Sequence, residues 1–252
     1  ERFLMKFNFL KIVVFIALIM YPNMSFSEVK KESISKVIIS GLQNVPEDIV
    51  REKITTKIDS KVNSVRLKRD VSVIEGLGYF EAVDVKNYID ETGTIVEFII
   101  KENPKVKAIR FIGNTVYQDD LLRSFLTVKV GQVFNYSDVR NDIKKIEEYY
   151  HKAGYNLMKI VKIVSPINDV DNILTLKIVE TIVEEIEVNG NSHTKDKVVL
   201  RELNMKAGNA FNQEHLMADG KRIFNLNYFS NVVPKFYPGS TKDKVVLVWE
   251  VE

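Results

Sequence analysis

Cysteine is absent from this sequence of 252 residues, and histidine (three residues) and tryptophan (one residue) are rare. Without cysteine the protein has no disulfide, no thiolate ligand for zinc and no thiol nucleophile. The histidines His151, His193 and His215 do not form the His-x-x-x-His pair that binds a metal on a helix. A Gly-x-Ser-x-Gly nucleophile motif is absent as well. We therefore expect no catalytic residues, no metal and no other cofactor, so the protein should not be an enzyme.

A long hydrophobic run is also missing. The uninterrupted apolar stretch IVVFIALIMY at residues 12–21 is about half as long as the ~20 residues that a membrane-spanning helix needs. Two lysines precede it and a small-x-small site ending at Ser27 follows it, which is the pattern of a secretory signal peptide. The sequence thus predicts a signal peptide at residues 1–27, with residues 1–4 as extra residues ahead of Met5. The alternative is an uncleaved membrane anchor.

Neither sign of charge dominates. Lysine and arginine number 36, and aspartate and glutamate number 34. Residues 1–27 contain three basic and one acidic side chain, so the predicted mature part keeps 33 of each sign. A neutral chain with interspersed charges lacks the basic surface that nucleic acid requires. We therefore expect no nucleic-acid partner.

A similar pattern occurs three times along the remaining chain. Each unit opens with alternating apolar and polar residues that lead to a glycine: SKVIISGL (35–42), VKAIRFIGN (106–114) and VEEIEVNGN (183–191). The alternation predicts a strand with one buried face. The glycines Gly41, Gly113 and Gly190 lie 72 and 77 residues apart, and each is predicted to turn the chain with a positive φ angle.

Two helices are predicted after each opening strand. The first begins near Pro46 in unit one, near Asp119 in unit two and after Thr194 in unit three, where Thr194 is the expected cap. An asparagine suited to a helix N-cap precedes each second helix: Asn63, Asn135 and Asn212. The second helix of unit three has Gly220 in place of an apolar residue, so it should be the weakest by ~1 kcal/mol.

Each second helix is predicted to end at the same kind of joint. The residue at this joint is Gly78, Gly154 or Asn227, and a tyrosine follows it in each unit: Tyr79, Tyr155 and Tyr228. Glycine readily adopts the left-handed conformation that closes a helix, and asparagine is the best tolerated substitute. We expect the joint to convert the helix into a strand and the tyrosine to fold back onto the helix.

Two further strands complete each unit. Their segments are 80–89 and 94–102, 156–164 and 173–180, and 230–237 and 244–252. The last strand of each unit is apolar on both faces, as a central strand would be. This order predicts an α+β fold of three tandem β-α-α-β-β units, each a three-stranded mixed sheet covered by two helices. The predicted boundaries are 33–104, 105–181 and 182–252.

Three such units after a signal peptide resemble POTRA domains, over residues 33–252. The pieces that carry the resemblance are IEGLGYFEAVDV (74–85), GQVFNYSDVRNDIKKIEEYYHKAGY (131–155) and FNLNYFSNVVPKF (224–236). The chain is similar to the POTRA region of BamA-type outer-membrane protein assembly factors. The resemblance implies a location on the periplasmic side of the outer membrane of a diderm bacterium. It also implies that the chain binds unfolded outer-membrane proteins and delivers them for insertion.

The resemblance further implies accessory assembly lipoproteins as partners and a C-terminal β-barrel, which is missing from this chain. We expect the chain to be a fragment of a longer protein, the alternative being a separate protein made of POTRA domains alone. The sequence pattern is also compatible with other functions. The chain could belong to a two-partner secretion or protein-import transporter, or to a division protein of the FtsQ/DivIB type, which usually has one such unit.

The POTRA fold places the third strand in the centre of the sheet and leaves the first two at its edges. The unpaired N–H and C=O groups of an edge strand can pair with an extended client chain, which is β-augmentation. The residues predicted to form client-binding edges are Val83, Val85, Asn87, Leu157, Lys159, Val161, Val232, Val233 and Lys235. Pro234 lacks an N–H group, so unit three should bind less well there. We predict that 156–164 is the main client edge, because it is the longest and free of proline. The alternative is that these side chains only fill cores.

Overall fold

The structure, a computed structural model, describes residues 33–164 and 171–252, which form three modules in tandem. The predicted signal peptide lies outside the described residues. The first module consists of β1 (Ile34–Ser40), α1 (Glu47–Arg51), α2 (Ser64–Gly76), β2 (Phe80–Ile89) and β3 (Thr94–Glu102). The second consists of β4 (Ala108–Ile112), α3 (Asp119–Ser124), α4 (Tyr136–Lys152), β5 (Lys159–Val164) and β6 (Ile173–Val179). The third consists of β7 (Ile182–Asn189), α5 (Asp196–Leu200), α6 (Gln213–Phe224), β8 (Val232–Pro238) and β9 (Lys244–Val251).

Each module contains one three-stranded sheet with its last strand in the middle. The strand orders are β1-β3-β2, β4-β6-β5 and β7-β9-β8. The first strand of each sheet runs parallel to the middle strand, and the second runs antiparallel to it. The predicted α+β class, with three mixed sheets and a central third strand, is therefore confirmed.

Each module has its own hydrophobic core between the sheet and the second helix. In the first module, Phe98 and Ile100 of β3 lie in one buried cluster with Leu67 and Ile74 of α2. The predicted stripe on α4 is also found, since Val139, Ile146 and Tyr150 are fully buried and Ile143 packs against the same cluster. The cores hold by packing because the chain has no disulfide to support them.

The glycine that ends each first strand lies directly against the middle strand. Gly41, Gly113 and Gly190 have φ angles of +91°, +84° and +90°. A Cβ atom on them would lie 1.9, 2.3 and 2.0 Å from the carbonyl oxygens of Ile100, Ile178 and Val251. These positions therefore need glycine for the close approach as well as for the turn.

The predicted asparagine caps of the second helices are confirmed. The Oδ1 atoms accept backbone N–H groups of the first turn: Asn63 from Arg66, Asn135 from Ser137 and Asp138, and Asn212 from His215. The expected cap at Thr194 is wrong. Helix α5 begins at Asp196 after Lys195, without a side-chain cap, and the carbonyl of Thr194 instead accepts the side-chain amide of Asn191 at 2.7 Å. That bond holds the loop in a turn before the helix starts.

The glycine in the last helix has a packing partner. A Cβ atom on Gly220 would lie 3.3 Å from the indole ring of Trp249, which is 1% exposed at the centre of the third core. The missing side chain therefore makes room for the largest residue of that module. The packing of Trp249 offsets part of the lower helix propensity of glycine.

A buried aspartate in the middle of each second helix is a feature that the sequence analysis missed. The three residues, each 0% exposed, are Asp70, Asp142 and Asp219. The carboxylate of Asp70 accepts the backbone N–H groups of Thr55 and Thr56 at 2.9 and 2.8 Å, and both threonine hydroxyls donate to it. Burial raises the pKa of Asp70, but these hydrogen bonds outweigh burial and leave the pKa below its usual value.

The other two aspartates also accept hydrogen bonds from the loop that follows the first helix. Asp142 accepts the N–H and hydroxyl of Thr127, and Asp219 accepts the N–H groups of Asn204 and Met205. Each carboxylate thus ties the second helix to the loop that follows the first helix. The signal was present in the sequence, because in all three units the aspartate follows the capping asparagine by seven residues.

Candidate functional site: open strand edges and module joints

The second strand of each module, which the sequence marks as a client edge, lies at an outer edge of its sheet. The strands contain Val83, Val85 and Asn87 (β2), Lys159 and Val161 (β5), and Val232, Val233 and Lys235 (β8), while Leu157 precedes β5. Val83, Val85 and Val232 also pack against the cores of their modules. Their side chains therefore fill cores, whereas their backbone groups lie at the edge.

The first strands are edges as well, but the chain itself covers the beginning of each one. The N–H of Ile34 donates to the carbonyl of Ser60 at 2.9 Å, and the carbonyl of Ile34 accepts the N–H of Asp59 at 2.8 Å. The equivalent residues are Val106, bonded to Gln132 and Gly131, and Val183, bonded to Asn209 and Gly208. Among the described residues, the second strands have no such backbone partner on their outer sides.

Strand β2 has the longest open edge, with ten residues. Hydrogen-bonded and non-hydrogen-bonded pairs alternate along an antiparallel ladder. The N–H of Asp90 donates to the carbonyl of Gly93 at 2.9 Å where the β2–β3 ladder begins, so residues 82, 84, 86 and 88 direct their backbone groups toward β3. Residues 83, 85, 87 and 89 direct theirs away from the sheet. On that outer side, the N–H of Val85 donates to the Asp84 carboxylate at 2.8 Å.

Strand β5 has a shorter and less regular edge. It has six residues, against ten in β2, and its register shifts between Ile160 and Ile163. The outward N–H of Ile160 donates to the carboxylate of Glu147, on α4, at 3.1 Å. The prediction that the second strand of unit two is the longest is therefore wrong. A bulge and a helix side chain, neither of which a length count detects, interrupt this edge.

Strand β8 is interrupted by proline. The N–H of Gly239 donates to the carbonyl of Lys244 at 3.1 Å, and the pairing with β9 is regular, so residues 233, 235 and 237 direct their backbone groups toward β9. Val233 and Lys235 therefore use their backbone groups within the sheet. The outward positions are Val232, Pro234, Phe236 and Pro238. Two of these four positions lack an N–H donor, which is how natural sheets commonly protect an edge.

The helix-to-strand joint of the first module is also the place where the second module attaches. The carbonyl of Gly78 accepts the N–H of Tyr136 at 2.9 Å, and the carbonyl of Leu77 accepts the side-chain amide of Asn135 at 3.1 Å. Asn135 thus caps its own helix and bonds to the helix end of the module before it. The buried amide of Asn103 donates to the carbonyls of Gly78 and Phe134, both at 2.9 Å.

The second joint repeats this arrangement. The carbonyl of Gly154 accepts the N–H of Gln213 at 2.8 Å, and the carbonyl of Ala153 accepts the side-chain amide of Asn212 at 2.7 Å. A Cβ atom on Gly154 would lie 2.6 Å from Oδ1 of Asn212, and one on Gly78 would lie 2.4 Å from Oδ1 of Asn135. The two glycines therefore permit both the left-handed conformation, at φ +89° and +83°, and the close approach of the next module.

The third module has a side chain at the equivalent position. Asn227 has a φ angle of +57° and is exposed, whereas Gly78 and Gly154 are buried by the module that follows them. The tyrosine after the joint follows the same trend, because Tyr79 and Tyr155 are half-buried and Tyr228 is 62% exposed. Tyr155 lies 6.0 Å from the ring of Tyr150, on the helix it has just left.

Two further features of the described ranges 33–164 and 171–252 bear on function. No helix within them has the length and hydrophobicity needed to span a membrane. They also contain no group of three or more histidine, aspartate or glutamate side chains arranged to hold a metal ion.

Comparison with known sequences gives the family. The POTRA family model, described as surface antigen variable number repeat, matches three times, at residues 32–103, 104–181 and 181–252. The outer membrane protein assembly factor BamA of Nitratidesulfovibrio vulgaris is 27% identical, with 91% of this chain and 32% of that protein covered. The chain spans about a third of the length of the curated relatives it matches.

Two solved structures have the same fold. One is the N-terminal domain of Omp85 from the thermophilic cyanobacterium Thermosynechococcus elongatus, at 26% identity and a TM-score of 0.77, covering 86% of this chain and 95% of that one. The other is POTRA1-3 of the periplasmic domain of Omp85 from Anabaena, at 25% identity and a TM-score of 0.64, covering 87% and 95%. With three consecutive family matches on three β-α-α-β-β modules, the chain belongs to the POTRA family and contains three POTRA domains like those of Omp85 and BamA proteins.

Proposed function

We propose that this chain is the periplasmic arm of an outer-membrane protein assembly factor. It binds unfolded outer-membrane proteins through its open strand edges and delivers them for insertion into the outer membrane. Membership of the POTRA family and the similarity to proteins named outer membrane protein assembly factor BamA support this proposal. Accessory lipoproteins and a β-barrel that continues the chain are the partners that complete the proposed machinery.

The observation that carries the proposal is the open outer side of β2. Its outward N–H and C=O groups repeat regularly from Val83 to Ile89, and among the described residues no other strand pairs with them. An extended client can match such groups by adding one strand to the sheet. The client side chains then lie above and below the sheet, so pairing depends little on client sequence. This tolerance suits a protein that handles many barrel proteins.

The joints between modules are the second feature that supports the proposal. At the joints of Gly78 and Gly154, the asparagine and the first residue of the next module's second helix donate hydrogen bonds to carbonyls at the end of the helix before it. These bonds couple neighbouring modules, so that the edge strands of the arm are held in a defined relation. An unfolded client that pairs with one edge then remains near the next one, which raises its effective concentration there.

Site-specific photo-crosslinking tests the proposal. A benzophenone amino acid replaces Asn87 on β2 or Lys159 on β5, with Ser72 on α2 and Lys144 on α4 as exposed controls in the same modules. A barrel protein diluted from urea is then added and the sample is irradiated. We expect covalent adducts at one or both strand positions and only background at the helix positions. Equal labelling of helices and strands, or no labelling of any strand, would contradict the proposed function.

A further inference from the structure

We propose that β2 of the first module is the receiving edge of the arm and that the Asp84 carboxylate guards it. The guard occupies the N–H of Val85 until an extended client displaces it. This inference rests on the proposed function and adds to it the location of the site, the kind of segment that binds and the residue that controls access.

The three edges differ in what blocks them. On β8 the block is permanent, because Pro234 and Pro238 lack the backbone N–H that an incoming strand would need. On β5 the blocking carboxylate belongs to Glu147 of α4, and the ladder is bulged next to it. On β2 the block is one exposed aspartate on the strand itself, and the register is regular from Ala82 to Ile89. Only β2 combines a long, regular ladder with a block that a side-chain rotation removes.

The position of Asp84 explains how it guards the strand. Its own backbone groups bond to β3, and its carboxylate reaches sideways to the N–H of Val85 at 2.8 Å. It lies in the middle of the regular stretch, where an unprotected donor would also let two copies of β2 pair edge to edge. Charged side chains at exposed edges are a common protection against such self-association. When a client carbonyl accepts the hydrogen bond from the Val85 N–H, the Asp84 carboxylate loses that bond and is solvated by water instead.

The faces of β2 indicate which extended segments fit beside it. Val83 and Val85 point to the helix side of the sheet, where both pack against the first core, and Ile89 lies on the same side and is 60% exposed. The opposite side carries Asp84 and Lys86, both exposed. A segment that alternates apolar and polar residues can place its apolar side chains beside the valines and its polar ones beside the charges. Alternation of this kind is the pattern of a barrel strand, whose length of about 9–11 residues is close to that of β2.

Binding of a peptide to the chain with its three POTRA domains tests the inference. The probe is a neutral, capped ten-residue peptide of alternating valine and threonine with a fluorophore, followed by fluorescence anisotropy. Asn87→Pro removes an outward N–H in the same way as the natural Pro234, and we expect at least ~10-fold weaker binding. The matched control is Phe236→Pro on the already interrupted β8, which should stay within ~2-fold of the unmodified chain. Because Asn87→Pro could disturb folding, a crosslinker at Asn87 in the otherwise unchanged chain should capture the same peptide.

The guard is tested on the same strand. We expect Asp84→Ala to tighten peptide binding by roughly 3- to 10-fold, because the client no longer competes with the carboxylate. Lys86→Ala, on the same face and also exposed, should stay within ~2-fold. Dimers of Asp84→Ala without peptide, seen by sedimentation, would also support the guard.

Three results distinguish failure of the receiving edge, failure of the guard and failure of the proposed function. Asn87→Pro binding as tightly as the unmodified chain would overturn β2 as the receiving edge. Asp84→Ala binding no tighter than Lys86→Ala, without dimers, would overturn the guard. If no variant binds the peptide and no strand position crosslinks to an unfolded barrel protein, the proposed function itself fails.

Discussion

Alanine at Gly154 is expected to release the third module from the second. A Cβ atom there would lie 2.6 Å from Oδ1 and 3.0 Å from Cγ of Asn212. Asn212 cannot move away without loss, because its side chain also caps α6 through His215 and donates to the carbonyl of Ala153. With alanine at this position, Asn212 must either move and lose its bond to the first turn of α6, or keep that bond while the third module separates from the second.

The expected size of this effect follows from two contributions. A left-handed conformation costs a non-glycine residue roughly 1–2 kcal/mol. Breaking the two hydrogen bonds across the joint costs about 1 kcal/mol for each bond. Together these are on the order of 3 kcal/mol, which corresponds to a decrease of about 100-fold in the equilibrium constant for docking.

Distance measurements between spin labels can detect this release. The chain has no cysteine, so Lys144→Cys and Lys221→Cys provide two unique labelling sites, one on α4 and one on α6. Gly208→Ala is the matched control, since Gly208 has the same φ of +89° but nothing within 4 Å of an added Cβ. We expect a narrow distance distribution for the parent chain and for the control, and a broad one for Gly154→Ala. An equally narrow distribution for Gly154→Ala would show that docking does not depend on close approach at this glycine.

Alanine at Gly190 is expected to destabilise the third module more than any surface change. The added Cβ would lie 2.0 Å from the carbonyl oxygen and 3.2 Å from the carbonyl carbon of Val251. Both atoms belong to the backbone of the central strand β9, which cannot rotate out of the way as a side chain can. We expect the free energy of unfolding of this module to fall by roughly 4 kcal/mol or more. Gly208→Ala, in the same module, should cost only ~1–2 kcal/mol because it introduces backbone strain without a clash.

Tryptophan fluorescence reports on this module alone. Trp249 is the only tryptophan of the chain and is 1% exposed in the third core. Urea unfolding followed by its emission should give a much lower midpoint for Gly190→Ala than for Gly208→Ala. Equal midpoints would mean that β7 and β9 can separate at this position without losing the fold.

Local patterns predicted much of the fold. The asparagine before each second helix is a cap because its side chain bonds to the first turn, which depends only on neighbouring residues. The apolar stripe of α4 and the apolar last strands likewise follow from periodicity. Thr194 shows the limit of such rules, since α5 begins one residue later, after Lys195, and the loop before it is held by a bond from Asn191 to the carbonyl of Thr194.

Features that depend on contacts distant in sequence could not be predicted in the same way. Asp70 in a helix resembles a solvent-facing residue until the loop at Thr55 and Thr56 folds over it. Gly78 had a sufficient explanation as a helix end, which concealed its second role as the contact point for Asn135. How open the edge of each second strand is depends on the register of its ladder and, for β5, on the side chain of Glu147 from a neighbouring helix.

Residue-resolved amide hydrogen exchange on β2 tests the central claim most directly. An unfolded barrel protein is added to the isotope-labelled chain, and exchange is compared with and without it. We predict that the outward amides of Val83, Asn87 and Ile89 become at least ~10-fold more protected, because the client supplies their missing acceptors. The inward amide of Lys86, already bonded to β3, should change little. Unchanged exchange at the three outward amides, with new protection on α2 instead, would contradict strand addition as the way in which this arm holds its clients.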